Sequence, residues 1–370
     1  CAPSWTPSGA RRPSLGGAST RSKPGKASPA TTWPRSRRTA ASLPHAWLFV
    51  GSEGVGKRHF ARLLAKRLLC RMAQGAALAC GTCQSCRWLD AGSHPGYHWL
   101  QPDSEETLAD EAADGAARSE KARSKQIRIA QVRALQDQLN VGAQGGVLRI
   151  ACLAPAEAMN RVAQNALLKT LEEPPPGTLF ILVSDVPSAL LPTVRSRTRA
   201  VTFPVPAASA SAAWAASQGV SPALLAACGG RPLVAAELAA NGHGEWLTAF
   251  IADLGGRVAS HPVEVAMRWE SWLRPRTDAV PPLSVSRLVD WMQKWLADLI
   301  ALAGAGRARF FPNDPALASL AARTRLEALF ACYNALVELR KLADHPLNQR
   351  LVAVDMALRY AQTIGQPNPA

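Results

Sequence analysis

Ala46-Trp47-Leu48-Phe49-Val50-Gly51-Ser52-Glu53-Gly54-Val55-Gly56-Lys57-Arg58 is the stretch on which the fold turns. Ala46 to Val50 is an unbroken apolar block, the pattern of a strand buried on both faces of a parallel sheet. A glycine-rich turn follows. Beyond it, Phe60, Leu63, Leu64 and Leu68 predict a helix with those four residues on its apolar face. Strand, glycine loop and helix form the opening unit of an α/β nucleotide-binding domain. Gly51, Gly56 and Lys57 have the spacing GxxxxGK, with Gly54 between them. Glycines let backbone N–H groups curl around a phosphate, the helix N-terminus adds positive potential, and Lys57 adds a full charge.

The same loop lacks what hydrolysis needs. Ser or Thr after the lysine would give Mg²⁺ a hydroxyl, but here the residue is Arg58, whose guanidinium has no oxygen. The acidic pair that ends a buried strand in an active P-loop ATPase is missing too. Val147 to Leu153 reads as that strand, and Ala154-Pro155-Ala156-Glu157 follows it, with one acid lying beyond a proline. Two losses on one chemistry predict no hydrolysis. Two readings of the loop stay open: a site that holds ATP or ADP without cleaving it, or an inherited turn that caps a helix.

Four of the eight cysteines crowd together as Cys70, Cys80, Cys83 and Cys86, spaced C-x9-C-x2-C-x2-C. Two overlapping CxxC turns and one more distant thiolate suit a tetrahedral zinc ion. Four thiolates leave no coordination position for substrate water, so the zinc is expected to be structural. His94 and His98 lie nearby and are not needed as ligands.

The formal charge is +15. Eight of those charges sit in residues 1–45, which hold no acid, so the remainder carries a mild excess compatible with a nucleic-acid partner. Residues 1–45 are rich in Pro, Ser, Gly, Ala and Arg and read as disordered or artefactual. No apolar run long enough for a membrane span and no signal peptide is visible, so a soluble cytoplasmic protein is expected. Residues 103–125, with six acids before their first base, read as a mobile insertion. Ile127, Val132, Leu135 and Leu139 suit a helix. A long helix runs from about Ala158 to Glu173 and stops at Pro174-Pro175-Pro176. Phe180 to Ser184 is a third strand, Pro192 starts a short helix carrying Arg195, Arg197 and Arg199, and Val201 to Phe203 is a last strand. The predicted organisation is an α/β phosphate-loop domain with a parallel sheet over 46–205, a zinc module at 70–86, a small helical domain over 206–246, and an all-α segment over 247–365. Helices are expected over Leu288 to Leu302, Leu317 to Asp344 and Leu351 to Gln362, and residues 366–370 form a loose tail. Trp291, Trp295 and Leu299 make an i, i+4, i+8 stripe that suits either subunit contact or an internal core.

Asn165-Ala166-Leu167-Leu168-Lys169-Thr170-Leu171-Glu172-Glu173-Pro174-Pro175 resembles the signature helix of the clamp-loader subunits of bacterial DNA polymerase III, a family of AAA+ proteins. Glu172 and Glu173 run against the helix macrodipole, a conflict that hints at a contact elsewhere. Arg195-Ser196-Arg197-Thr198 is similar to the Ser-Arg-Cys motif of that family, with Thr198 in place of Cys. The resemblance covers residues 43–365, including Leu43-Pro44-His45-Ala46, the phosphate loop, the cysteines and His345-Pro346-Leu347-Asn348. It implies an AAA+ domain, a helical lid and a helical collar. It makes Arg197 an arginine finger that enters the ATP site of an adjacent subunit and steadies charge on the γ-phosphate. It also implies gamma/tau and delta partners in a five-subunit ring that loads the sliding clamp onto primed DNA. Arg58 and Pro155 depart from the catalytic gamma/tau type and point to a non-hydrolysing member. Arg231, after Gly229-Gly230, sits where such proteins can carry a sensor arginine. A self-sufficient gamma/tau-like ATPase and a free-standing zinc DNA-binding protein are the alternatives.

Overall fold

In the computed structural model, residues 44–73, 78–102, 126–141, 148–274, 280–304, 306–342 and 348–365 are described. The expected N-terminal segment up to Leu43, the acidic insertion 103–125, His345-Pro346-Leu347 and the tail 366–370 lie outside the described residues.

Five parallel strands form the sheet, in the order β2-β3-β4-β1-β5. They are β1 (Ala46–Val50), β2 (Tyr97–Leu100), β3 (Arg149–Leu153), β4 (Thr178–Ser184) and β5 (Arg199–Thr202). The central strands β3, β4 and β1 are buried almost throughout and mostly apolar, with Arg149, Thr178 and Ser184 at strand ends, because both sheet faces are covered. Alternation sends Ala46, Leu48, Ala151, Leu153, Phe180 and Leu182 to one face. They pack there with Val132, Leu135 and Leu139 of α3 (Ile129–Val141) and Ala163, Leu167 and Leu171 of α4 (Arg161–Glu172). Two earlier helices are α1 (Lys57–Leu69) and α2 (Gln84–Asp90). α1 lies on the other face, where the Phe60 ring meets those of Phe49 at 5.7 Å and Phe203 at 5.2 Å.

The register Val50↔Ser184 aligns the C-terminal ends of β1 and β4. The turn after β1 therefore stands beside the residue after β4, at the end of a parallel sheet where ligands usually bind. Pro192–Ser196 forms α5, leading into β5.

The rest is helical: α6 (Ala208–Ser217), α7 (Pro222–Ala227), α8 (Pro232–Ala240), α9 (His243–Ala252), α10 (Pro262–Leu273), α11 (Val285–Ala303), α12 (Pro315–Arg323), α13 (Leu326–Leu342) and α14 (Gln349–Ile364). α9 continues through one π turn, Asp253–Arg257. Gly229 and Gly230, both with positive φ, separate α7 from α8 as the sequence suggested. Among the described residues no helix is long and apolar enough to cross a membrane.

Several expectations need correcting. The buried face of α1 is Lys57, Ala61, Leu64, Ala65 and Leu69, while Phe60 and Leu63 are largely exposed at its edge. The predicted helix from Leu317 is broken at Thr324, whose extended backbone ends α12 and whose hydroxyl donates to Leu320 O at 2.7 Å. α4 starts at Arg161, where the Asn160 side chain accepts from the Ala163 N–H, not at Ala158. Strand β2 was not foreseen. Trp291, Trp295 and Leu299 face this chain's own core and are fully buried. The Trp295 indole donates to the Tyr360 hydroxyl at 2.8 Å, which donates to Leu254 O at 3.0 Å.

Candidate functional site: a closed phosphate loop, a cysteine cluster and an exposed arginine

Gly56 N-caps α1 with φ +98, a left-handed conformation open to glycine at little cost. This turn brings the side chain of Lys57 back under the loop, where it is buried. An ammonium has three N–H donors. Lys57 Nζ has three acceptors: Gly51 O at 2.8 Å, Ser52 O at 2.7 Å and Asp185 Oδ1 at 2.5 Å. The loop thus satisfies its own lysine, and any phosphate must displace one of these partners.

Asp185 is the residue that sequence reasoning missed. It follows β4 and reaches the loop only because β4 lies against β1. Its own N–H donates to Glu157 Oε1 at 2.8 Å, and the Val186 N–H does so at 3.2 Å. The acid beyond Pro155 is therefore spent on a backbone turn. Arg58 lines a cleft of about 620 Å³ with Lys57, His59, Arg62, Asp185 and Glu237. With Glu53 the lining offers three carboxylates but no hydroxyl beside Lys57.

The helical half also grips the loop. The Leu233 N–H donates to Gly54 O at 3.3 Å. A Cβ at Gly54, where φ is +75, would lie 2.3 Å from Val234 Cγ2. Glu53 accepts from Arg287 Nη2 at 3.2 Å and lies 3.9 Å from Arg231 Nη1. Arg231 also donates to Cys228 O at 2.7 Å and does not line the cleft around Lys57.

Arg197 caps the C-terminus of α5. Its guanidinium pairs with Glu172 at the end of α4 and donates to Thr193 O at 3.1 Å. The side chains stay 35% and 49% exposed, so the pair is a surface one. This contact resolves the conflict between Glu172 and its helix dipole.

The cysteine cluster lies between α1 and β2. The Sγ atoms of Cys70, Cys80, Cys83 and Cys86 all lie within 4.8 Å of one another. Zinc–sulfur bonds of about 2.3 Å in a tetrahedron put the sulfurs about 3.8 Å apart. The observed separations include 3.6 Å for Cys70–Cys80, 3.9 Å for Cys70–Cys83 and 4.0 Å for Cys80–Cys86. The donor set therefore fits a zinc ion. Backbone N–H groups favour the thiolates: that of Cys83 draws Cys80 down to about 6, and that of Cys86 lowers Cys83. Burial pushes Cys86 up to about 12, the penalty a bound cation would offset. His94 is engaged elsewhere: Gly96 N–H donates to Nδ1 at 3.0 Å. Nε2 therefore donates to Ser85 Oγ at 2.9 Å, which donates to Leu69 O at 2.7 Å. That chain tethers the cluster to the end of α1.

A phosphate-loop domain with a four-cysteine cluster and a helical second half matches a class of replication subunit. The family model described as DNA polymerase III, delta subunit, matches residues 33–207. A relative from Pseudomonas aeruginosa, DNA polymerase III subunit delta', is 38% identical over 271 residues, covering 70% of this chain and 73% of that one. This chain belongs to the delta-prime family of DNA polymerase III clamp-loader subunits. Its Bacillus subtilis relative of the same name is 33% identical over 161 residues, 44% of this chain and 42% of that one. DNA polymerase III subunit tau of Escherichia coli is 34% identical over 155 residues, 42% of this chain and only 21% of tau.

Proposed function

We propose that this chain is the non-hydrolysing stator of its clamp loader and lends Arg197 to the ATP site of a neighbouring gamma/tau subunit. The observation that carries the reading is a pairing of opposites. Lys57 is buried with all three donors engaged, while Arg197 is a half-exposed cation held by a surface carboxylate. The first cannot readily serve a phosphate; the second can exchange Glu172 for one. Arg58 argues against a self-sufficient motor, because no hydroxyl stands ready for Mg²⁺ beside Lys57. In this reading, residues 46–205 form an AAA+ domain that holds ATP or ADP without hydrolysis or simply serves as scaffold. Residues 206–246 act as lid and 247–365 as collar, in a five-membered ring with gamma/tau and delta. Zinc at the four cysteines is structural. The sliding clamp and primed DNA are met by the assembled ring in the cytoplasm.

Reconstitution with gamma/tau and delta tests this, comparing wild type with Arg197→Ala. Exposed ion pairs contribute about 0 to 1 kcal/mol, so the variant should fold and assemble. A finger supplied in trans is worth about 10³ to 10⁵ at the site it serves. Clamp- and DNA-stimulated ATP turnover should therefore fall steeply, with ring assembly unchanged. Unaltered turnover in a fully assembled ring refutes the role.

A further inference from the structure

A second cavity shares no lining residue with the Lys57 cleft. It measures about 270 Å³ and is bordered by Ser52, by Gly229 and Arg231, by α11 and α13, and by the segment at Arg309. Four cations line it: Arg231, Lys294, Arg309 and Arg340. A single carboxylate, Asp290, answers them. That carboxylate is shared, lying 2.7 Å from Lys294, 3.2 Å from Arg340 and 3.9 Å from Arg231. Arg231 shares Glu53, in turn, with Arg287. Arg309 makes no ion pair among the described residues; its guanidinium carbon lies 5.4 Å from the Phe310 ring centre.

Lys294 is buried, and burial pulls it below the usual lysine range against the attraction of Asp290. Burial would raise Asp290, yet Lys294, Arg340 and Arg231 hold it below the usual carboxylate range. The four lining cations share Asp290 and, through Arg231, part of Glu53, and a half-closed space with that excess of positive charge favours an anion. Two forked guanidiniums and an ammonium match the geometry of a tetrahedral oxyanion. The volume falls short of the roughly 300 to 1,000 Å³ of organic-ligand sites. That suits phosphate groups without a base and ribose.

We propose that this cavity binds a small phosphate-class oxyanion, inorganic phosphate or pyrophosphate, at a site separate from the phosphate loop. The occupant bridges the turn at Ser52, the α7–α8 junction and α11, and so pins the loop to the helical half. The proposal is independent of the role of Arg197.

The test is calorimetry and thermal melting of the full chain with phosphate and with pyrophosphate in separate arms, each against chloride at equal ionic strength. Expected is saturable binding of one or both oxyanions, with a rise in melting temperature beyond the chloride control. Arg309→Ala and Arg340→Ala should each weaken it about tenfold or more, as loss of a charge-assisted hydrogen bond requires. Both positions are exposed, so these variants keep the fold. Arg62→Ala, which takes an exposed cation from the Lys57 cleft and none from this cavity, should leave the affinity unchanged. A rise no greater than that with chloride, affinity unmoved by Arg309→Ala and Arg340→Ala, or binding lost in Arg62→Ala would each overturn the proposal.

Discussion

Asp185→Asn isolates what holds the phosphate loop shut. The substitution keeps the size of the side chain and one acceptor oxygen but removes the only carboxylate bonded to Lys57. Lys57 keeps Gly51 O and Ser52 O, two neutral acceptors, around a charge whose side chain is 2% exposed. Removing one partner of a fully buried pair costs about 3 to 5 kcal/mol. Asp185 is 28% exposed, so water at its site softens the loss, and about 2 to 3 kcal/mol is expected. Urea unfolding at pH 7.5, followed by tryptophan fluorescence with zinc present, should show this as a lower midpoint at unchanged slope. The double variant Lys57→Met/Asp185→Asn removes the stranded charge as well. It should recover at least about 1.5 kcal/mol relative to the sum of the single changes, because the two residues are in contact. Strict additivity, or a loss below about 0.5 kcal/mol for Asp185→Asn, would refute the view that the ion pair closes the loop.

Gly54→Ala should cost about 2 to 4 kcal/mol by the same assay, since it combines a left-handed backbone with a Cβ 2.3 Å from Val234 Cγ2; a midpoint equal to wild type counts against the loop–α8 contact. Burial holds His94 and His98 below the ordinary imidazole range. The unfolded chain takes up protons near pH 6.5 that the native state refuses, so stability should be flat above about pH 7.5 and fall on acidification below about 6.5. His98→Gln should flatten that fall, and an identical pH profile argues against it. Purified protein should carry about one equivalent of zinc and Cys83→Ser less than half, with chelation opening residues 70–86 to protease; equal zinc contents in both would dismiss the cluster as a metal site.

Local patterns were readable from the chain and long-range pairings were not. β1, the glycine turn and the CxxC spacings announce themselves within a few residues. The closure of the loop does not, because Lys57 and Asp185 lie 128 positions apart and meet only through the strand order. β2 escaped notice because Tyr97, His98, Trp99 and Leu100 are all half-buried on an edge strand, which gives neither an apolar run nor clean alternation. The face of α1 was misjudged because Phe60 is apolar yet only meets the rings of Phe49 and Phe203 from the rim, and Leu63 is apolar yet exposed, whereas small Ala61 and Ala65 are buried. The Trp291 stripe satisfied two hypotheses equally, and only packing chose between them. Glu172 gave a true hint: its misfit with the helix dipole marked a partner, and that partner is Arg197.

Because Lys57 finds its three acceptors inside the chain, the loop owes its order to partners within the same fold. By mass action, a ligand that binds a folded loop makes its stability follow the ligand's concentration. A loop already tied to Asp185 and to α8 has its shape before any ligand arrives, so a ligand adds to its stability without being needed for its order. Its shape should therefore be the same in a starved cell as in a growing one.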